Sequence, residues 1–296
     1  VSERELRRRF AALPIWQGLP TIEPLVGGLS NLSFVVRDAS GKYAVRTGED
    51  FAFHNVIRER ELMTARAAHA AGFAPEVVFA EPGIVVSRFV EGRVFGPADV
   101  RADIGRIAAM LRRFHADMPA VVSETGYAFG CFAAIRDYVE ALRESANPVA
   151  RARIGDALAI ATELEGAQVA LPPVFGHNDL LPANILDDGA RLWLIDFEYS
   201  GCATPLFDLA NLSSNACFDA GQSDELLRAY YGGDPGADVR RAHGAMECAS
   251  LLREALWSLV SEMHLDAPGA DYEGYAQYNF ERYDAVLAGY RARFGG

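Results

Sequence analysis

VFGHNDLLPANILDDGARLWLIDFEY, residues 174–199, sets three oxygen-bearing side chains, Asp179, Asn184 and Asp196, between short apolar runs with the character of strands. A carboxylate placed beside such runs costs several kcal/mol if it is buried unpaired, so it signals a metal, a proton transfer or an ion pair. Asp187-Asp188-Gly189 reads as a hairpin turn between Asn184-Ile185-Leu186 and Arg191–Ile195. That turn predicts Asn184 and Asp196 at the open ends of two paired strands, with Asp179 on the loop just before them.

The spacing His177-x-Asp179-x4-Asn184 has the form of a kinase catalytic loop, and Asp196-Phe197-Glu198 stands where D-F-G would follow. Two hard oxygen ligands, Asn184 and Asp196, together with phosphate oxygens suit Mg²⁺. Asp179 is then left for an acceptor hydroxyl, and His177 is expected to brace the loop by hydrogen bonding. A hydrolase metal site built on His177, Asp179 and Asp196 is the rival reading. No further His or Cys stands nearby at ligand spacing to complete it.

Composition narrows the class. The chain has 296 residues, enough for two domains or one bilobal domain, and an ordinary globular make-up of 50% hydrophobic and 23% charged residues. A net charge of −12 argues against a nucleic-acid partner and matches a small cationic substrate better. The cysteines (Cys131, Cys202, Cys217, Cys248) are far apart and read as free thiols of a reducing compartment. The first residues contain no apolar signal region, and no uncharged run is long enough to span a membrane. The expectation is a cytoplasmic protein; nothing in the sequence fixes an oligomeric state.

Working outward toward the N-terminus, Leu32–Arg37 and Tyr43–Thr47 read as strands joined by an Asp38–Gly41 turn. Ahead of them, Gly27-Gly28-Leu29-Ser30-Asn31 is a turn whose amide groups, with the Ser30 hydroxyl and Asn31 amide, could cradle phosphate oxygens. Phe53–Ala71 reads as a helix with Ile57, Glu61, Ala65 and Ala68 along one face. Either Glu61 or Glu59 would pair with Arg46 on the preceding strand. Glu76–Ala80 and Ile84–Val90 complete a small sheet of four or five strands. Phe89–Gly92 is the crossing, with Phe89 assigned to the nucleotide side, giving lobes of 1–92 and 93–296.

From Ala98 onward the pattern turns helical: Ile104, Ile107, Ala108, Leu111 and His115 recur at helix spacing, and His115 reads as a core or helix-terminal histidine. Ala245–His264 is a further helix with Glu254, Trp257 and Ser261 on one face. A tryptophan beside a carboxylate suits a cationic headgroup, the ring face supplying cation–π attraction.

GHNDLLPANIL followed by LIDFEYSG resembles the signature of the choline/ethanolamine kinase family, whose relatives include the aminoglycoside phosphotransferases and, more distantly, the protein kinases. The resemblance spans Leu25 to about Tyr290. It implies an α+β, bilobal protein-kinase-like fold with a small, mostly-β N-lobe and a larger, mostly-α C-lobe. It also implies ATP as donor, the GG-x-SN turn (Gly28, Ser30, Asn31) as nucleotide loop, Arg46 paired with Glu61 over the phosphates, Asp179 as base, and Asn184 and Asp196 as Mg²⁺ ligands. Phe207-Asp208-Leu209-Ala210-Asn211 matches a family run in which Asp208 is structural.

LREALWSLVSEMH and EGYAQYNFERY are similar to the segments that build the family's choline pocket, with Trp257 and Tyr275 at matching positions. Glu254 departs from the second tryptophan often found there. One more carboxylate could suit a primary amine, which donates hydrogen bonds. Glu198 is expected to touch metal or substrate. The expected activity is phosphoryl transfer to a small amino alcohol, choline or ethanolamine. An aminoglycoside or other hydroxylated metabolite as acceptor, and an inactive nucleotide-binding protein, are the alternatives.

Overall fold

The computed structural model describes residues 3–25, 32–123, 127–265 and 270–295. The chain divides into two compact units, Val1–Arg93 with Leu186–Glu198, and Val94–Ile185 with Tyr199–Gly296. The return of Leu186–Glu198 to the first unit is absent from the boundary read off the sequence. Long-range bonds explain it: the Leu194 amide donates to the Phe73 carbonyl at 2.8 Å, and the Arg191 guanidinium donates to the Gly72 carbonyl at 3.1 Å.

The first unit begins with α1 (Glu3–Ala11), β1 (Thr21–Leu25), β2 (Ser33–Asp38), β3 (Gly41–Thr47), α2 (Arg58–Ala70), β4 (Val77–Glu81) and β5 (Ile84–Arg88). The strands form one antiparallel sheet in the order β1-β2-β3-β5-β4. Phe34 and Val36 alternate on β2, and Tyr43 and Val45 on β3. Period-2 alternation turns these four to one face, where they pack with Leu6 and Phe10, one turn apart on α1. Asp38 closes the β2–β3 turn by accepting the amides of Ser40 and Gly41. Pro82-Gly83, with Gly83 at φ +79°, closes β4–β5.

One local expectation is corrected, and the fifth strand of the expected four or five is located. The helix starts at Arg58, because Ala52–His54 is a separate 3-10 turn ended by Asn55 in the left-handed region at φ 54°. Strand β1 extends the sheet before β2 and tolerates Pro24 because it lies on the edge.

Next come β6 (Arg93–Val94), α3 (Pro97–Ala102), α4 (Ile104–Asp117), α5 (Cys131–Leu142), α6 (Pro148–Glu165) and β7 (Val174–Gly176). β8 (Ile185–Asp187) and β9 (Leu192–Leu194) flank the Asp188 turn, and β10 (Gly201–Ala203) pairs antiparallel with β7. The helices α7 (Pro205–Asn215), α8 (Ala220–Tyr231), α9 (Ala237–His264) and α10 (Tyr272–Phe294) complete the second unit. Asp188 makes its turn by accepting the amides of Ala190 and Arg191, both at 2.8 Å.

Every residue of α9 from Cys248 to Ser261 is buried, as expected of a helix surrounded by others, and α5, α6, α7 and α10 pack on it. None of the described helices is long and apolar enough to cross a membrane.

Helix α9 also carries a carboxyl with an unusual stability cost. Burial pushes Glu247 up to about 7, against the opposing Ser223 hydrogen bond and the Arg293 charge. A carboxyl that holds its proton more tightly folded than unfolded loses stability as pH rises from its ordinary value near 4.5 toward 7. Glu247→Gln is therefore expected to raise stability by roughly 2–3 kcal/mol at pH 8 and to gain little at pH 4, read by urea unfolding at the two pH values.

Candidate active site

In the second unit the loop after β7 is fastened from below by α7. Thr204 caps α7 and Pro205 opens it, which sets Asp208 in the first turn, where the helix dipole favours a negative charge. Asp208 is 1% exposed; its Oδ2 accepts the His177 amide at 2.8 Å and its Oδ1 the Asn178 amide at 2.6 Å. His115 Nε2 stands 2.8 Å from Oδ2 as well. Burial alone would raise the Asp208 pKa, but the hydrogen bond and charge of His115, with the His177 contacts, hold it below the usual carboxylate range. His115, read as a core histidine, is the partner of this carboxylate.

Asn211, three residues after Asp208, accepts the Leu180 amide at 2.5 Å. Asn178 sits at φ 63° and donates its side chain to the Tyr199 and Gly201 carbonyls, each at 3.1 Å. Gly176 is required by close approach: a Cβ there would meet Asn178 Oδ1 at 2.8 Å. The Asp179 amide in turn donates to His177 Nδ1 at 3.3 Å, the brace expected of that histidine.

This framework presents Asp179, whose main-chain carbonyl accepts Asn184 Nδ2 at 2.8 Å. Asn184 ends the 3-10 turn Pro182–Asn184. Commitment of Nδ2 orients the amide so that Oδ1 is its acceptor. The same unit brings Asp179 near the predicted acceptor residues through Arg253, which the sequence reading passed over. Arg253 Nη2 lies 3.8 Å from Asp179 Oδ1 and 2.6 Å from Glu254 Oε2. Tyr275 donates its hydroxyl to Glu254 Oε1 at 3.0 Å, and Trp257 Nε1 donates to the Tyr199 hydroxyl at 2.8 Å. Burial and the neighbouring Glu254 charge push the Tyr275 phenol far above its ordinary range.

The first unit gathers a second cluster. Arg46 Nη1 contacts Glu61 Oε1 at 2.5 Å and Asp196 Oδ1 at 2.7 Å, while Nη2 contacts Glu198 Oε2 at 2.9 Å. Glu61, and not the exposed Glu59, is therefore the helix partner of Arg46. Arg58, also absent from the sequence reading, bridges Glu61 at 2.6 Å and Glu198 at 2.8 Å. Burial works against a charged Arg46, but Asp196, Glu61 and Glu198 outweigh it and hold the guanidinium charged. Burial and the adjacent Asp196 raise the Glu198 pKa, with Arg46 and Arg58 opposing.

Asp196 takes φ +68°, uncommon for a residue other than glycine and the kind of strain that collects at functional sites. Glu198 thus stands with the two arginines, whereas Glu254, Trp257 and Tyr275 belong to the other unit. Phe89 is half-buried and carries the Lys42 ammonium 3.6 Å from its ring centre. Gly28, Ser30 and Asn31 lie outside the described residues.

An antiparallel sheet lobe, a helical lobe and these two clusters are the features of a kinase-like phosphotransferase. The profile described as the phosphotransferase enzyme family matches residues 21–244, and the chain belongs to that family. Within it the choline/ethanolamine kinase branch is indicated by a solved structure, a choline/ethanolamine kinase family protein from Mesorhizobium loti. It is 31% identical, with a TM-score of 0.77, covering 96% of this chain and 94% of that one. The chain is also similar to Protein LicA of Haemophilus influenzae, 26% identical over 88% of this chain and 78% of that protein. A probable ethanolamine kinase of Arabidopsis thaliana is 24% identical over 89% of this chain and 78% of that protein.

Proposed function

We propose that this protein transfers the γ-phosphate of ATP to the hydroxyl of a small amino alcohol, with ethanolamine or choline as acceptor. The observation that carries the reading is a pinned Asp179 loop in the same unit as the Arg253–Glu254 pair, Trp257, Tyr199 and Tyr275. Membership of the family and the likeness to a probable ethanolamine kinase support the acceptor class.

In this reading Asp179 orients the acceptor hydroxyl and accepts its proton as the oxygen bonds to the γ-phosphorus and the bond to ADP breaks. Phosphoryl transfer is mostly a matter of positioning and charge neutralisation, so a loop already fixed by Asp208 and Asn211 spares reorganisation at the moment of reaction. Arg46, held by Glu61, serves the phosphates, with Arg58 keeping Glu61 and Glu198 in place.

The hard oxygens of Asn184 and Asp196 fit Mg²⁺, and their assignment as its ligands rests on the sequence resemblance. Magnesium supplies neutralisation of phosphate charge when bound. Gly28, Ser30, Asn31 and Phe89 are assigned to the nucleotide on the same ground. The ring faces of Trp257 and Tyr275 are suited to the ammonium group, at about 0.5–2 kcal/mol each.

The test is ADP release with Mg-ATP against ethanolamine, choline and a kanamycin-type aminoglycoside. Turnover with an amino alcohol and little with the aminoglycoside is expected. Turnover with the aminoglycoside alone would reassign the acceptor.

A further inference from the structure

A permanent positive charge stands beside Asp179. Arg253 is 1% exposed and is the largest of the fully buried side chains. Its guanidinium is 5.8, 5.5 and 6.0 Å from the ring centres of Phe129, Tyr199 and Phe207, so three aromatic rings lie around the charge. Its Nε is buried with no hydrogen-bond partner among the described residues. A buried ion pair with an unsatisfied donor is a poor way to gain stability, since apolar side chains of the same volume commonly do as well or better. The charge itself is what this position supplies, and arginine cannot shed it.

Arg253 also changes what Glu254 can offer. One oxygen of Glu254 takes the guanidinium and the other the Tyr275 hydroxyl, so this carboxylate is engaged within the protein. Asp179 and Glu254 carry two negative charges and Arg253 one positive. The group therefore carries a single net negative charge, the complement of one ammonium.

We propose that Arg253 is a specificity-determining residue that favours acceptors with one positive charge and disfavours those with a second cationic centre near the reacting hydroxyl. This rests on the phosphoryl-transfer reading above. Two like charges a few ångströms apart in protein surroundings repel enough to change a rate ratio by about tenfold or more.

The experiment compares kcat/KM for ethanolamine and for 1,3-diamino-2-propanol at pH 7, in the wild type, Arg253→Met, Arg253→Lys and Glu254→Gln, with Mg-ATP saturating. A ratio of two substrates on one preparation cancels any loss of folded enzyme, so a purely structural role leaves it unmoved. The ethanolamine preference is expected to narrow about tenfold in Arg253→Met, to persist in Arg253→Lys, and to widen in Glu254→Gln, which leaves the guanidinium less neutralised.

An unchanged ratio in Arg253→Met, or equal changes in the Met and Lys variants, overturns the proposal. If Arg253→Met does not fold, a ratio that fails to widen in Glu254→Gln overturns it. Absence of transfer to any amino alcohol by the wild type would instead remove the functional reading, and this inference with it.

Discussion

Asp179→Asn is expected to lower kcat by 10²–10⁴-fold, the range for loss of a general base, with a thermal midpoint close to wild type. Asparagine keeps the shape of the side chain and the main-chain carbonyl that receives Asn184 Nδ2, so that bond is retained; the 3.8 Å ion pair with Arg253 is given up, and Glu254 stays as the closer partner of that guanidinium. The substituted side chain loses the negative charge and the capacity to take a proton. Steady-state turnover with the best amino alcohol, paired with thermal denaturation of the same sample, separates the two effects. Undiminished turnover would take the base assignment away from Asp179.

The second large effect falls on stability. Asp208→Ala strips the acceptor from two main-chain amides and from His115, all buried around a carboxylate that is 1% exposed. Removing one partner from a buried charged network costs about 3–5 kcal/mol, which corresponds to a fall of roughly 10 °C or more in Tm for a lobe of this size. Hydrogen exchange at the His177 and Asn178 amides should accelerate as well.

The pH dependence has a fixed sign. Asp208 has a depressed pKa, so its stabilising contribution is present above the ordinary carboxylate range and is lost as pH falls through the lower folded value. A variant with unchanged Tm and unchanged amide exchange would show that α7 does not hold the loop.

Much of this was legible because it is local in sequence. The His177–Asn184 spacing, the Asp187-Asp188-Gly189 turn and the alternating runs of β2 and β3 each encode their geometry within a few residues. The pairing of Arg46 with Glu61 followed from a strand and a helix adjacent in the chain.

Arg58 and Arg253 were missed for the opposite reason. Arg58 lies among Glu59, Arg60 and Glu61, where alternating charge has the pattern of a solvated helix face, and its second partner, Glu198, is distant in sequence. Arg253 interrupts the Cys248–Ser261 stretch of α9, which is buried all round, a position where periodicity gives no reason to expect a charge. The sequence offers Glu254 and Glu198 as candidate site carboxylates. That each is bound to an arginine depends on tertiary contacts that no spacing rule carries.

Phosphorus NMR of the wild-type protein incubated with Mg-ATP and ethanolamine or choline reads phosphoryl transfer to the amino alcohol itself. A new phosphomonoester resonance is expected, with ADP formed in equal amount and its appearance slowed 10²–10⁴-fold in Asp179→Asn. ATP consumption that yields only inorganic phosphate, or no phosphomonoester from either acceptor, would contradict it.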